Sequence, residues 1–150
     1  LFTMIIYSGY LVGSIFNIFI IDRVERKWGI VVTAILAGVL GTIFVEVPSD
    51  TATVVLGFLV TFTLWNFSNF LHTYQAEIFP TRVRSTAAGT VYSVSRISTS
   101  ILVLIITAFF LPHGLLATYG VIWVFIVIVV VDIAVFGPRT SRRRLEQISQ

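Results

Sequence analysis

Residues 121–131 read Val-Ile-Trp-Val-Phe-Ile-Val-Ile-Val-Val-Val, a run with no charged or strongly polar side chain on any face of a helix. A helix at the surface of a soluble protein keeps one polar face, so this run predicts a helix that is surrounded by apolar groups on all sides. Across all 150 residues, 57% are apolar and 11% are charged. Ordinary soluble domains contain about 45–50% apolar and about 25% charged residues. We therefore expect a membrane-embedded protein.

Apolar stretches long enough to cross a bilayer occur five times. A helix needs about 20 residues to span the hydrocarbon core, with a range near 17–25. The sequence therefore predicts an all-α, polytopic membrane protein with a five-helix region over residues 1–136 and a basic tail over residues 137–150. The predicted spans are 2–21, 29–45, 53–71, 85–110 and 115–136.

The basic residues predict the orientation of these spans. Nine of the ten Lys and Arg residues fall in three segments, 22–27, 82–84 and 139–144, which five crossings place on one side of the membrane. By the positive-inside rule that side is cytoplasmic. We expect a multi-pass protein of the plasma (inner) membrane, surrounded by lipid, with its C-terminus in the cytoplasm.

Composition also narrows the function. A net charge of +3 and the absence of Cys argue against a nucleic-acid partner, zinc fingers and thiol chemistry. The sequence contains no metal-ligand spacing, nucleophile motif, phosphate loop or carboxylate pair. We expect neither an enzyme nor a bound cofactor or metal.

Polar residues concentrate on the first, third and fourth spans, whereas the second and fifth are almost wholly aliphatic and can face lipid. Such stripes indicate either a shared polar cavity or ordinary helix–helix contacts, for which Ser, Thr, Gly and Asn are common. Gly9 and Gly13 form a G-x-x-x-G step suited to close helix approach. The residues predicted to contact a solute are Tyr7, Tyr10, Asn17, Trp65, Asn66, Asn69 and Arg96.

Arg96 is the most informative single residue. It follows Arg84 by twelve positions, which places it about 18 Å deeper along a helix, near the middle of the membrane. A central Arg costs about 2.5–3.5 kcal/mol on insertion scales, so it should face a cavity or a partner. No acidic residue of the five spans lies at this depth. Arg96 therefore pairs with a group elsewhere, binds an anionic or carbonyl-bearing solute, or bonds to backbone carbonyls and hydroxyls as a structural residue.

Three motifs in order carry a family resemblance. Residues 22–27, Asp-Arg-Val-Glu-Arg-Lys, resemble the D-R-x-G-R-R/K loop of the major facilitator superfamily, and residues 76–84 resemble its A-E-x-x-P-x-x-x-R segment. The tail over residues 137–148 is similar to the P-E-T-x-G-x-x-L-E-E-I ending of the sugar-porter and synaptic-vesicle-glycoprotein-like branches. On this resemblance, the chain would supply helices eight to twelve of a twelve-helix transporter, with about seven helices upstream in the same protein.

The resemblance implies a secondary transporter that moves a small-molecule substrate by alternating access, with a proton as coupling ion. Its eighth, tenth and eleventh helices would line the solute path, and its ninth and twelfth would face lipid. Glu77 would pair with cations of the first loop. The residues implied in the cytoplasmic gating network are Asp22, Arg23, Arg26, Lys27, Glu77 and Arg84.

Departures from the family pattern affect the substrate. Glu25 replaces the usual Gly of the first motif, and Arg139 replaces the acidic residue of the tail. The G-P-x-P-W element of sugar porters is absent before Ala76, which disfavours a hexose. Arg96 instead resembles the S-x-x-x-R-x-x pattern of bacterial relatives that carry organic acids or other small metabolites. The alternatives are a sugar carrier, a channel, or a non-transporting membrane protein (an anchor, sensor or remnant) that acts through helix–helix association.

Overall fold

The computed structural model describes residues 2–47, 49–80 and 82–138, which form helices and short connections without any β-strand. All five helices are long and apolar enough to cross a membrane, which confirms the all-α polytopic fold. The fourth helix, Arg84–Ile105, continues through a π-helical turn, Ile106–Phe110, and a 3₁₀ turn, Leu111–His113. The helices are α1 Phe2–Ile20, α2 Arg26–Glu46, α3 Asp50–Ile78, α4 Arg84–Ile105 and α5 Leu115–Phe136.

The largest difference from the predicted spans is the length of α3. This helix continues seven residues beyond the predicted end at Leu71 and stops at Ile78, just before Phe79-Pro80. Hydropathy falls after Leu71, but no helix-breaking residue occurs until Pro80, so the helix runs on into the polar region. His72, Gln75 and Glu77 therefore lie on α3 rather than in a loop.

α3 lies at the centre of the bundle. It packs against α1 on one side and α2 on the other, and α2 also packs against α5. A cluster of buried side chains joins α2, α3 and α5 near the end that carries the basic loops (hereafter the basic end). Its buried members are Ile30, Val31, Phe70, Tyr74 and Ile133.

The contact between α1 and α3 depends on Gly9 and Gly13. A Cβ atom at Gly9 would lie 2.8 Å from the carbonyl oxygen of Phe58, and one at Gly13 would lie 3.2 Å from the Trp65 side chain. Both glycines are buried. The close helix approach predicted from the G-x-x-x-G step is present.

α2 and α5 differ in part from the expectation that they face lipid. α2 buries one face between α3 and α5, where Trp123 Nε1 donates a hydrogen bond to Thr42 Oγ1 at 2.9 Å. Its other face, including Val32 and Val39, is exposed.

α4, predicted to line a solute path, has no buried residue and few contacts with α3. Side chains of α4, including its polar stripe, are therefore available to a solute, to lipid or to further helices.

Candidate functional site

A polar cavity of about 210 Å³ lies between α3 and α4. α4 supplies Tyr92, Ser95, Arg96 and Thr99 to its wall, all within two turns of that helix. α4 also contributes the apolar side chain of Val91. The remaining lining residues come from α3 and are Phe67, Ser68, Leu71, His72 and Gln75. The cavity thus has a cationic and hydrogen-bonding part beside an apolar part.

Arg96 is the charged group of this cavity. Its Nη2 donates a hydrogen bond to the Tyr92 hydroxyl at 2.5 Å, and its Cζ lies 4.8 Å from the centroid of the Tyr92 ring. The His72 ring is 6.5 Å from the same ring, centroid to centroid. These two contacts hold the Arg96 guanidinium against Tyr92, which lies one helical turn earlier on α4. Both side chains line the cavity.

The described part of the chain contributes no carboxylate to the cavity. Among residues 2–47, 49–80 and 82–138, no Asp or Glu lines it. A guanidinium has five N–H donors, and the contacts within this part of the chain use one for a side chain. Arg96 thus presents a positive charge and further N–H donors to the cavity, groups that are chemically complementary to an anion.

A second group of predicted solute contacts forms an aromatic cluster between α1 and α3. Tyr7 and Tyr10 stack with ring centroids 5.9 Å apart, and Tyr10 meets Trp65 edge to face at 5.1 Å. Trp65 Nε1 donates a hydrogen bond to Ser14 Oγ at 2.6 Å. Both tyrosines remain exposed on this five-helix bundle.

Asn17 and Asn66 occupy a helix contact. Asn17 Nδ2 donates to Asn66 Oδ1 at 3.0 Å, and Asn66 Nδ2 donates to the Phe62 carbonyl at 2.8 Å. Asn17 is 6% exposed and Asn66 is 4% exposed. In this arrangement both amides are satisfied by α1 and α3. Asn69, the remaining predicted contact, is half-buried on α3, between Trp65 and His72.

None of the five α3 residues that line the cavity is among the predicted solute contacts, and three of them are polar: Ser68, His72 and Gln75. These three residues follow i, i+4 and i+7, which is one face of a helix. This spacing is visible in the sequence only if the third helix continues past Leu71. The sequence reasoning missed this face because it ended the third helix at Leu71 and not at Ile78.

At the basic end, Arg26 is the centre of an ion-pair network. Its Nε lies 3.1 Å from Glu77 Oε1, and its Nη2 lies 3.3 Å from Asp22 Oδ1. The Arg26 and Glu77 side chains are 13% and 20% exposed, whereas that of Asp22 is 84% exposed. The pair between the first basic loop and α3 is thus largely shielded from solvent.

The other residues predicted in this network have different contacts. Lys27 is buried and its Nζ donates to the Gly137 carbonyl at 2.9 Å, while Arg84 Nε donates to the Phe79 carbonyl at 3.3 Å. Arg23 is exposed. Glu77 Oε2 and Arg84 Nη2 are buried, and neither has a hydrogen-bond partner in the described parts of the chain. The tail motif over residues 139–148 lies outside the described residues.

Comparison with known proteins identifies the family. The sequence profile of the sugar (and other) transporter family matches residues 1–150, the whole chain. The chain belongs to this family. It is therefore a transporter-family membrane protein of the major facilitator superfamily and not an enzyme, as the three motifs indicated.

The relatives of this transporter-family chain include metabolite and phosphate transporters. It is 31% identical to the inner membrane metabolite transport protein YdjE of Escherichia coli, over 100% of this chain and 33% of that protein. It is 25% identical to the putative metabolite transport protein YyaJ of Bacillus subtilis, over 91% of this chain and 30% of that protein. It is 29% identical to the putative inorganic phosphate transporter C8E4.01c of Schizosaccharomyces pombe, over 81% of this chain and 22% of that protein.

The transporter-family chain thus spans a third or less of the length of these curated relatives. No solved structure matches it significantly.

Proposed function

We propose that this chain forms helices eight to twelve of a secondary carrier that moves a small anionic solute across the membrane by alternating access. The observation that carries the proposal is the cavity between α3 and α4, where Arg96 faces polar side chains and no carboxylate within the described residues. A charge held at this depth without an acidic partner is costly unless a ligand or water satisfies it. An anionic solute supplies the missing negative charge.

The composition of the cavity favours an organic anion over a sugar. Neutral hydrogen-bonding groups such as Ser68 and Gln75 line this cavity and suit a sugar or an anion alike, so the guanidinium of Arg96 is the feature that separates the two, because a neutral sugar does not need a charged partner. The relative named as a putative inorganic phosphate transporter supports a charged solute. A sugar remains the competing substrate because of the family to which the chain belongs.

The other predicted contacts divide into two roles in this proposal. Tyr7, Tyr10 and Trp65 form an aromatic wall that a solute passes or contacts, and Asn69 lies on α3 between that wall and the Arg96 cavity. Asn17 and Asn66 position α1 against α3 through their mutual hydrogen bond. Solute specificity then depends mainly on Arg96 and on α3.

Gating is proposed to depend on the basic end. The Arg26–Glu77 ion pair joins the first basic loop to α3, and Asp22 extends it toward solvent. Glu77 Oε2 and Arg84 Nη2 are buried without a hydrogen-bond partner among the described residues, so these two charges are not fully used in this packing of the basic end. Lys27 binds the end of α5 through its hydrogen bond to the Gly137 carbonyl, and Arg23 is exposed at the surface. In this proposal, substrate binding shifts the equilibrium between two packings of the helices at the basic end, in which these charges pair differently.

Location and energy coupling follow from the family and the charge pattern. We place the protein in the plasma (inner) membrane with the basic end in the cytoplasm, which the positive-inside rule and the inner-membrane relative support. A proton is the proposed coupling ion on the strength of the family resemblance.

The alternative function is a non-transporting membrane protein that acts through helix association. One observation favours it: α4 exposes Arg96 and a series of hydroxyl side chains, and none of its residues is buried. Lipid is a poor environment for that face, so α4 needs a partner. A partner from the same carrier and a partner from another protein both satisfy this requirement, and solute binding distinguishes them.

Thermal unfolding of the full-length protein with a panel of solutes tests the anion assignment. We expect benzoate, inorganic phosphate or a related anion to raise the midpoint, because a ligand at 100 times its Kd stabilises the native state by about 2.7 kcal/mol. Glucose at the same concentration should leave the midpoint unchanged. Stabilisation by glucose alone would establish a sugar carrier, and no stabilisation by any solute would support the non-transporting alternative.

A further inference from the structure

An apolar groove on the outside of the bundle runs between α1, α2 and α3, separate from the Arg96 cavity. Its volume is about 330 Å³. Phe16, Val32 and Leu36 form its exposed rim, and Gly29 allows the Phe70 ring to form part of its floor, because a Cβ at Gly29 would lie 2.8 Å from that ring. We call this feature the lateral groove.

The hydroxyl and amide groups in the wall of the lateral groove already form hydrogen bonds within the bundle. Thr33 Oγ1 donates to the Gly29 carbonyl at 2.7 Å, and Thr63 Oγ1 donates to the Leu59 carbonyl at 2.8 Å. Asn66 is occupied by Asn17 and by the Phe62 carbonyl. A surface of this kind offers no hydrogen bond to a polar solute or to water, but it suits a hydrocarbon chain.

The groove reaches the basic end of the bundle, where its lining includes Val24 and Trp28. Trp28 is exposed, and tryptophan is enriched where lipid headgroups meet the hydrocarbon core. Arg23, adjacent to Val24 in the chain, is also exposed. Trp28 thus lines this end of the groove, and an exposed cation lies one residue before its lining residue Val24.

Arg23 differs from the other two cations of its loop. Arg26 is engaged by Asp22 and Glu77, and Lys27 is engaged by the Gly137 carbonyl. Within the described residues, Arg23 makes no ion pair. Its charge is therefore available to an anionic group outside the bundle.

We propose that the lateral groove binds an anionic phospholipid, with one acyl chain in the groove and its phosphate beside Arg23 and Trp28. The apolar wall selects a hydrocarbon chain, and the exposed guanidinium selects a negative headgroup. Positive residues near an anionic membrane surface attract it by about 1 kcal/mol each. This assigns to Arg23 a lipid-binding role outside the gating network.

Photocrosslinking in lipid nanodiscs tests this site on the full-length protein. The probe is phosphatidylglycerol with a diazirine on one acyl chain, compared with the matching phosphatidylcholine. We expect crosslinks on Val32 and Leu36, with stronger labelling by phosphatidylglycerol. Arg23→Gln should reduce that labelling about fivefold at subsaturating probe, the factor that corresponds to the loss of one surface cation. Arg82→Gln removes another exposed cation and should not change it.

A second pair of variants tests the groove itself. Val32→Trp fills the lateral groove from an exposed position and should abolish the crosslink at Leu36. Val39→Trp places the same ring on an exposed position of α2 outside the groove and should preserve the crosslink. Equal labelling by the two lipids, unaffected by Arg23→Gln, would overturn the proposal. So would an absence of crosslinks in the groove, which would mean that another helix or a second copy covers it.

Discussion

Arg96→Ala is expected to abolish uptake at low solute concentration by the full-length carrier. The guanidinium is the only cation lining the cavity within the described residues, and hydrogen bonds to charged groups contribute about 1.5–3 kcal/mol. Loss of one or two such bonds weakens solute binding by about 10–100-fold. The measurement is initial uptake rate against concentration, in reconstituted vesicles, for the anion that most raises the unfolding midpoint.

Two further variants separate charge from geometry. Arg96→Lys keeps the positive charge but loses the planar fork that binds carboxylate or phosphate through two bonds, so its KM should lie between those of wild type and Arg96→Ala. Arg82→Ala removes a cation from an exposed position outside the cavity and should leave the kinetics unchanged. If both Arg96 variants keep the wild-type KM and maximal rate, Arg96 has no part in the solute site.

Reversal of either charge in the Arg26–Glu77 pair is expected to destabilise the protein strongly. Arg26→Glu or Glu77→Arg would place like charges about 3 Å apart in a largely shielded site. Breaking a buried ion pair typically costs 3–5 kcal/mol, so each single variant should lower the unfolding midpoint and reduce uptake. The double variant Arg26→Glu/Glu77→Arg should regain part of both.

The exposed Arg82 again provides the matched comparison. Arg82→Glu makes the same change of charge at the surface, where single ion pairs contribute about 0–1 kcal/mol, and should unfold close to wild type. Single variants of Arg26 and Glu77 that unfold like Arg82→Glu would show that the pair does not stabilise the basic end. Recovery of stability without recovery of uptake in the double variant would show that gating needs the original polarity.

The fold was predictable because hydropathy and charge act over whole segments. Five apolar runs predict five helices. The connecting segments alternate between segments with several cations and segments with none, which supports this number of crossings. The ends were less predictable. α3 passes Leu71 because helix formation depends on backbone hydrogen bonds, which continue until Pro80 removes a donor, and not on hydropathy.

The candidate site shows why a polar stripe alone does not define a cavity. Asn17 and Asn66 have the residue type and spacing of solute contacts, yet they hydrogen bond to each other. Helix contacts and cavities both require polar groups on one face, so spacing does not separate them. The sequence did contain one distinguishing signal: Asn17 follows Gly13 by four residues and so continues the face of the G-x-x-x-G step.

Pairing within the basic end was predictable only in outline. The sequence indicated that Glu77 pairs with a cation of the first loop, and the structure shows an ion pair with Arg26. Lys27 makes a different contact because α2 begins at Arg26, which places Lys27 on the helix. From there its Nζ donates to the Gly137 carbonyl at the end of α5. Such a choice depends on helix register, which the spacing of charges does not give.

The central claim is that this segment belongs to a carrier for a small anion, and solute counterflow tests it most directly. Vesicles containing the full-length protein are loaded with a high concentration of the unlabelled anion and diluted into a trace of the labelled one. We expect a transient accumulation of label that saturates with concentration and is lost in Arg96→Ala. Flux without counterflow, or no flux of any anion with intact counterflow of a sugar, would contradict it.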